Sequence, residues 1–450
     1  MQRIRRNPSC SQRWTVFGPL LILMTLLAAP PSVATASSRF PWRQYQGTTL
    51  HVLLSQSHWQ QVIAQRLPEF EELTGIKLAT EVYPQGQLWD LLENALKEPG
   101  RVDVFMTLPA LDGIRYLRAG GIQPVNEYLQ NPNLTAPDYN WEDFFPKARA
   151  AMEIEGAILG PPVMAEHLAI FYRKDLFKQY QVPVPRSLDD LEAAARSLHM
   201  KPMGPGGAPG FGVVSRGRGA NVTSLYAGYL HAMGGTWLDD AHRFTINKTQ
   251  SLQALERLGR LLHNYGPPNI TDFDWQEASS LFMDGKAAMY LEGSSVFPLI
   301  EHSGKSRVAG QVGYAVFPAG PGGPGTTIAV RGLAIAKKSA NPAAAWLFVQ
   351  WASSPEMVRR ALVGDILVAR RSAWKDKYYW DGIPPDLVES FQEAARIGVW
   401  EWAPPVIAVA SARETVGKAI TAAIRGEDYR AAADVAAHRL REILKTTEGQ

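Results

Sequence analysis

Cysteine is nearly absent from this 450-residue chain, since Cys10 is the only one. A single thiol cannot form an intramolecular disulfide or a cysteine-rich metal site. Cys10 precedes the apolar run of the amino-terminal segment, whereas a lipid-anchored cysteine follows such a run, so its position argues against a lipid anchor. If that segment is removed, the mature chain has no thiol, and thiol catalysis is excluded as well.

Residues 1–36 are typical of an export signal. Arginines near the amino terminus precede the apolar run Val16–Ala29, which at 14 residues is short for a membrane-spanning helix. Small residues (Ser-Val-Ala-Thr-Ala) follow and predict cleavage after Ala36; an uncleaved anchor helix is the alternative. Export combined with the lack of disulfides indicates the bacterial periplasm.

The chain also lacks an excess of charge. Its net charge of +3 falls to −1 when residues 1–36 are removed, because they carry four arginines and no acid. Nucleic acids and anionic membranes attract proteins largely through basic surfaces. The sequence therefore predicts no nucleic-acid partner.

Common catalytic and nucleotide-binding motifs are missing too. The chain has no Gly-x-Ser-x-Gly elbow, no His-Glu-x-x-His zinc helix and no Gly-x-x-x-x-Gly-Lys-Ser/Thr phosphate loop. Its nine histidines are scattered. We expect no catalytic residue, no metal site and no cofactor.

Strand and helix patterns alternate near the start of the predicted mature chain. Short apolar runs predict strands, and amphipathic segments between them predict helices. This order is typical of an α/β fold, in which helices cover both faces of a parallel sheet. The predicted elements are strand Thr48–Ser55, helix Trp59–Leu73, strand Ile76–Tyr83, helix Leu88–Lys97, strand Val102–Thr107 and helix Ile114–Ala119.

The loops after these strands are candidate ligand sites, because ligands on such sheets bind beyond the carboxyl ends of the strands. Gln56, His58 and Trp59 follow the first strand, and Asp112 follows the third. We expect these four residues at the rim of a binding site.

Tryptophan is abundant, with 13 residues. Aromatic rings stack on the C–H faces of sugars, while amide, carboxylate and guanidinium groups bind sugar hydroxyls. Trp400 and Trp402 share one side of an extended Trp-Glu-Trp segment, which predicts that both face one cleft. The alternative is that such rings close hydrophobic cores.

Six segments follow one another in a fixed order and are spread over residues 162–373 of the chain. They resemble the maltose-binding-protein-like family of extracellular solute-binding proteins, the sugar- and polyol-binding components of ABC importers. The match is carried by a proline-led strand that ends in Tyr-Arg-Lys-Asp-Leu-Phe, by Phe-Met-Asp-Gly-Lys-Ala-Ala-Met, and by Gly-Leu-Ala-Ile-Ala-Lys-Lys-Ser. The segments are Pro162–Phe177, Val182–Leu191, Ala232–Asp240, Phe282–Gly293, Gly332–Trp346 and Arg370–Ala373.

The resemblance implies a two-lobed periplasmic-binding-protein fold, with two α/β lobes joined by a hinge and a ligand cleft between them. The chain then crosses between lobes near Gly160, Val330 and Trp374. The predicted organisation is a signal peptide at 1–36, a first lobe at 37–160 and 330–374, and a second lobe at 161–329 and 375–450, whose last part is helical.

The function that the resemblance implies is the capture of a sugar, a polyol or a related sugar derivative. The lobes close on the ligand, and the chain, expected as a monomer, delivers it to an ABC permease without changing it chemically. A periplasmic carbohydrate-processing enzyme is one alternative, with Glu166 paired with Asp112 or Glu401. A sensor subunit for a membrane kinase or receptor is another.

Further candidate contacts come from the aligned motifs. Glu166 falls where maltose-binding relatives place a ligand-contacting carboxylate, and Gly293 lies in a loop where many relatives carry a tryptophan. Arg331 stands where polyol-binding relatives often have an aromatic residue. Together with Arg216 and Arg218 it leaves open an anionic ligand, such as a sugar acid, a sulfosugar or glycerol phosphate.

Asn221 and Tyr226 lie at the start of the predicted helix that follows the Arg-Gly-Arg-Gly run. A helix amino terminus presents free backbone N–H groups, which bind ligand oxygens. We therefore add both residues to the predicted site.

Overall fold

The computed structural model of the protein describes residues 40–449. The predicted signal peptide, with its cleavage site after Ala36, lies outside the described residues. No helix within the described range combines the length and apolar character needed to cross a bilayer.

The described chain contains eleven strands and seventeen α-helices. The strands are β1 (Thr49–Ser55), β2 (Lys77–Tyr83), β3 (Val104–Thr107), β4 (Ile122–Gln123), β5 (Glu153–Ile154), β6 (Ala157–Ile158), β7 (Pro162–Arg173), β8 (Val214–Ser215), β9 (Met289–Gly293), β10 (Val312–Val316) and β11 (Ile328–Ala336). The helices are α1 (His58–Ala64), α2 (Leu67–Thr74), α3 (Gln85–Ala95), α4 (Pro109–Arg118), α5 (Asn126–Gln130), α6 (Pro146–Ala151), α7 (Lys174–Gln179), α8 (Leu188–Leu198), α9 (Thr223–Ala232), α10 (Thr249–Tyr265), α11 (Trp275–Met283), α12 (Phe297–Ile300), α13 (Pro342–Ala352), α14 (Pro355–Val363), α15 (Pro385–Ile397), α16 (Val409–Arg425) and α17 (Tyr429–Glu448).

The first lobe is built on β1–β3, which pair in parallel in the order β2-β1-β3. All four residues of β3 are buried, as expected for a strand with helices on both sides. The segment between β1 and β2 was predicted as one helix and forms two, because Pro68 starts a new helix in the first turn of α2.

Two long strands, β7 and β11, join the lobes. β11 pairs antiparallel with β3 through Gly332–Ile335 and with β7 through Ile328–Gly332. The second half of β7 pairs with β9 and β10 instead. At Gly160, just before β7, a Cβ atom would lie 1.9 Å from the Leu333 carbonyl oxygen, so this close approach of the backbones requires glycine.

The second lobe is built on β7–β10 and has helices on both faces of its sheet. Side chains alternate along β7: Phe171 joins the core that continues into the first lobe, whereas Ile170 joins a separate core formed with α8, α9, α10 and α16. The carboxyl-terminal helix α17 packs on α16 and α10. The predicted residue boundaries of the lobes stay a prediction.

Candidate functional site

A cleft with a volume of about 250 Å³ lies between the two lobes. Its base is formed by the linking strands β7 and β11, and each lobe supplies one wall. The lining residues are Gln85, Trp89, Leu108 and Leu111 from the first lobe; Glu166, His167, Leu168, Thr327, Ala329 and Arg331 from the base; and Arg216, Asn221, Ser224, Glu292, Gly293, Trp402 and Arg413 from the second lobe.

A bidentate ion pair forms part of the second-lobe wall. Nε of Arg216 donates to Oε2 of Glu292 at 2.6 Å, and the second nitrogen binds the other oxygen. Glu292 also accepts the backbone N–H of Gly293 at 2.7 Å, which fixes the carboxylate. Burial opposes the charge of Arg216, but the facing Glu292 outweighs it and raises the pKa of the guanidinium. Arg216 therefore stays charged, and the hydrogen bonds hold both side chains in place.

A second arginine, Arg413 of α16, lies on the same wall. It donates to the Thr223 hydroxyl at 2.8 Å and to the Ala220 carbonyl at 2.9 Å, and it stacks over the Trp402 ring at 5.5 Å. Among the described residues, no carboxylate lies within 4.0 Å of its guanidinium. Burial, assisted by the neighbouring charge of Arg216, lowers its pKa to about 10. Arg413 therefore stays protonated at neutral pH.

At the base of the cleft, Glu166 and Arg331 lie on adjacent strands. In the antiparallel register Glu166 faces Ala329 and Arg331 faces Met164, so both side chains are on one face of the sheet. Arg331 donates to Oε1 of Gln85 at 2.6 Å, and Glu166 accepts the Ser295 hydroxyl. A Cβ atom at Gly293 would lie 2.8 Å from Oε2 of Glu166, so glycine keeps room for this carboxylate.

Charges of both signs line the cleft. Three arginines, at positions 216, 331 and 413, lie there with the two carboxylates Glu166 and Glu292. A third carboxylate, Asp274, lies 4.0 Å from Arg216 and accepts a hydrogen bond from Asn221 at 2.7 Å. Planar charged groups of both signs, together with amide groups, suit the hydroxyls of a neutral ligand.

Two indoles complete the lining, Trp89 on the first lobe and Trp402 on the second. Trp402 is 8% exposed, and Trp89 contacts apolar residues of both cores. An aromatic ring on each wall offers flat apolar surface to the C–H groups of a small ligand.

Six of the residues predicted from sequence line this cleft. They are Glu166, Arg216, Asn221, Gly293, Arg331 and Trp402. Their contact with a ligand stays a prediction, which their common position supports.

The other seven predicted residues lie elsewhere. Trp59 and Tyr226 are both 1% exposed in hydrophobic cores, because a large ring beside a strand end or on a helix fills the core before it reaches a cleft. Gln56 and His58 are exposed outside the cleft. Asp112 is buried behind Trp89, whose indole nitrogen lies 3.0 Å from its carboxylate.

Arg218 and Trp400 also fall outside the cleft. Arg218 is half-exposed and binds the carbonyl oxygen of Asp272 and, at 4.0 Å, the carboxylate of Glu277. Trp400 lines a separate cavity of about 190 Å³ near Pro405. The prediction that Trp400 and Trp402 share one cleft is therefore wrong, because the chain turns between them: the backbone N–H of Trp402 binds the Trp400 carbonyl at 2.9 Å.

The predictions from sequence left out seven polar or aromatic lining residues: Gln85, Trp89, His167, Ser224, Glu292, Thr327 and Arg413. Gln85 follows the end of β2, where a ligand was expected, and is the first residue of α3. Trp89 and Arg413 lie on helices, and Glu292 ends a buried strand. A charged residue in a buried strand indicates a candidate site residue, because its charge needs a buried partner.

Comparison with known proteins agrees with this architecture. The sequence pattern of the bacterial extracellular solute-binding protein family matches residues 53–359. The erythritol/L-threitol-binding protein of Mycolicibacterium smegmatis is 27% identical over 356 residues, which cover 75% of this chain and 73% of that protein. The mannitol-binding protein of Pseudomonas aeruginosa is 27% identical over 284 residues, which cover 62% of this chain and 59% of that protein, less than two thirds of its length.

Among solved structures, the fold is similar to that of an ABC transporter solute-binding protein from Agrobacterium radiobacter K84, solved in complex with ribitol. The TM-score is 0.75 at 22% identity, and the match covers 88% of this chain and 99% of that chain. The similarity confirms the two-lobed fold, and the family match extends over more than half of the sequence. The chain belongs to the family of bacterial extracellular solute-binding proteins.

Proposed function

We propose that this protein is the substrate-binding component of an ABC importer and captures a small neutral polyol or sugar between its lobes. The observation that carries the proposal is the composition of the cleft, where guanidinium, carboxylate and amide groups held by mutual hydrogen bonds lie beside two indoles. Each of these planar groups can form hydrogen bonds with two neighbouring hydroxyls, while the rings contact the C–H surface of the ligand. The relatives named for erythritol or L-threitol and for mannitol support the same ligand class.

The volume of the cleft favours a small ligand. Pockets for drug-sized molecules span about 300–1,000 Å³, and this cleft measures about 250 Å³. A short polyol or a monosaccharide therefore fits better than an oligosaccharide.

An anionic ligand is the second candidate, and Arg413 is the observation that favours it. This arginine lines the cleft, and no described carboxylate pairs with it directly. Two observations argue against an anionic ligand. Arg216 is already paired with Glu292, and Arg218 lies outside the cleft. We therefore place a sugar acid, sulfosugar or glycerol phosphate second.

We further propose that capture proceeds without catalysis. The alternative of a hydrolase needs two carboxyl groups that flank a bond. Asp112 binds the Trp89 indole behind the cleft wall, and Glu401 does not line the cleft. Neither can be paired with Glu166 across a bound sugar in this arrangement.

The remaining parts of the proposal concern location and partners. We propose an exported monomer, cleaved after Ala36, that docks on an ABC permease; the family to which the chain belongs supports the extracellular location. We also propose that the chain crosses between the lobes near residues 160, 330 and 374; the two linking strands support the first two crossings. A sensor role predicts co-purification with a receptor instead of a permease.

A thermal-shift screen tests the ligand class. A ligand present at about 100 times its Kd stabilises the folded state by about 2.7 kcal/mol, a visible shift. We expect shifts with ribitol, mannitol, erythritol or a monosaccharide, and none with sugar acids or phosphorylated polyols. Shifts with the acids alone would favour the anionic candidate, and uniform failure would contradict carbohydrate binding.

A further inference from the structure

Trp89 and Asp112 form a contact behind the first-lobe wall of the cleft. Nε1 of Trp89 donates to Oδ2 of Asp112 at 3.0 Å. Trp89 projects from α3 and lines the cleft, whereas Asp112, in the first turn of α4, does not. Trp89, which lines the cleft, is thus hydrogen-bonded directly to Asp112, which lies behind the cleft wall.

The carboxylate of Asp112 is a fixed acceptor. It is 1% exposed and also accepts the Thr107 hydroxyl and the backbone N–H of Leu108, the latter at 3.1 Å. These donors come from the end of β3 and from the residue that precedes α4. Because a buried carboxylate with three donors has little freedom to move, it presents Oδ2 to Trp89 in one position.

The indole of Trp89 is otherwise held only by packing. It contacts apolar residues of both cores but is half-buried. The outer torsion of a tryptophan side chain has a broad energy profile, so a hydrogen bond at Nε1 is what selects one orientation of the ring. Since that N–H is already bound to Asp112, the ring offers the cleft only its carbon surface.

We propose that Asp112 is a positioning residue of the ligand site: it holds the Trp89 ring as a preformed platform for the C–H face of a polyol or sugar. The identity of the ligand rests on the proposed function, whereas the positioning of the Trp89 ring by Asp112 does not. Preorganisation of this kind raises affinity because the ring need not be ordered when the ligand binds.

The positioning is tested first in the ligand-free protein, by indole N–H resonances. Trp89→Phe identifies the Trp89 signal by its loss. We expect Asp112→Asn to shift that signal and to speed its hydrogen exchange at least tenfold. Asp103→Asn is the matched control, because Asp103 is also 1% exposed and hydrogen-bonded, to the backbone of His51 at 2.8 Å, but lies outside the cleft. An unchanged Trp89 signal in Asp112→Asn, or an equal change in Asp103→Asn, would overturn the proposal.

The effect on binding is tested by a double-mutant cycle, with the dissociation constant for whichever neutral polyol or sugar the screen selects. If Asp112 acts through Trp89, Asp112→Asn and Trp89→Phe each weaken binding about fivefold, and the double variant is no weaker than Trp89→Phe alone. If the affinity losses of the two single variants multiply in the double variant, the proposal is overturned. If Asp112→Asn fails to fold, Thr107→Val loosens the same carboxylate and serves in its place.

The two proposals fail in different ways. If the wild-type protein binds no polyol or sugar, the proposed function fails, while the indole signal still decides whether Asp112 positions Trp89. If the wild-type protein binds and the cycle is additive, only the positioning role fails.

Discussion

Arg118 and Glu448 form an ion pair of 3.2 Å that joins the two lobes. Arg118 ends α4 of the first lobe and also binds Glu155, at 2.7 Å. Glu448 ends α17 of the second lobe, and its side chain is 1% exposed. It is held there by the backbone N–H of Ile407 at 2.9 Å and by His242 at 3.2 Å. Each partner is thus fixed within its own lobe, and the ion pair bridges the two lobes.

We predict that Glu448→Gln shifts the protein toward an open form. Removal of a partly buried charge partner costs about 1 kcal/mol of closed-state stability, which corresponds to about a fivefold loss of ligand affinity. The radius of gyration from small-angle scattering should increase in the ligand-free protein. Glu155→Gln is the control, because it breaks the ion pair of the same arginine within one lobe. Equal changes in the radius of gyration and in ligand affinity in both variants would show that the ion pair between Arg118 and Glu448 does not stabilise the closed form.

Loss of the Glu292 carboxylate should destabilise the fold as well as the site. Glu292→Gln leaves Arg216 without its bidentate partner, and removal of one member of a buried pair costs about 3 kcal/mol. Denaturant unfolding should show this loss, and titration calorimetry should show weaker ligand binding. Glu393→Gln is a matched control, since Glu393 also forms a bidentate pair with an arginine, Arg396, but on the exposed surface, where such a pair contributes little. A free energy of unfolding equal to that of the wild type would contradict the account.

The two neighbouring tryptophans should respond differently to substitution. Trp402 lines the cleft and Trp400 lines another cavity. Trp402→Leu should weaken ligand binding at least tenfold, because it removes the aromatic surface of the second-lobe wall and the ring beside Arg413. Trp400→Leu should leave the dissociation constant within twofold of the wild type. Calorimetry on both variants decides this, and the opposite order would place the ligand in the other cavity.

Acid should destabilise the protein through His167. Burial lowers the pKa of this imidazole from 6.5 to about 3, and its Nε2 lies 2.6 Å from the Ser390 hydroxyl. The unfolded chain therefore takes up the proton first, so stability falls as pH drops below 6.5 and is nearly constant above pH 7. Between pH 7 and pH 5 this loss amounts to about 2 kcal/mol.

Denaturant unfolding at several pH values, with His167→Gln as the comparison, measures the loss. The glutamine does not titrate in this range, so the variant should lose about 2 kcal/mol less between pH 7 and pH 5 than the wild type. Parallel pH profiles would assign the acid sensitivity to other groups.

The secondary structure of the chain followed closely from local patterns. Strand Thr48–Ser55 was predicted and β1 spans Thr49–Ser55; helix Leu88–Lys97 was predicted and α3 spans Gln85–Ala95. Strand Ile76–Tyr83 was predicted and β2 spans Lys77–Tyr83. These features depend on periodicity and on backbone chemistry, both of which are local.

The site was predicted less well because its composition depends on long-range packing. Glu292 and Arg216 are 76 residues apart in sequence, and Arg331 and Gln85 are 246 apart. Periodicity indicates that Trp59 and Tyr226 stand beside strand ends or on a helix, but not whether they face the core or the cleft. Only the packing of helices on the sheet decides that.

Titration calorimetry of the wild-type protein with ribitol, mannitol and erythritol, and with the corresponding sugar acids, decides whether the cleft binds a neutral polyol or sugar. We expect one-site binding of a neutral polyol or sugar, with one ligand per chain, and no heat from the acids. Binding of an acid alone, or no binding of any neutral compound, would contradict the proposed function.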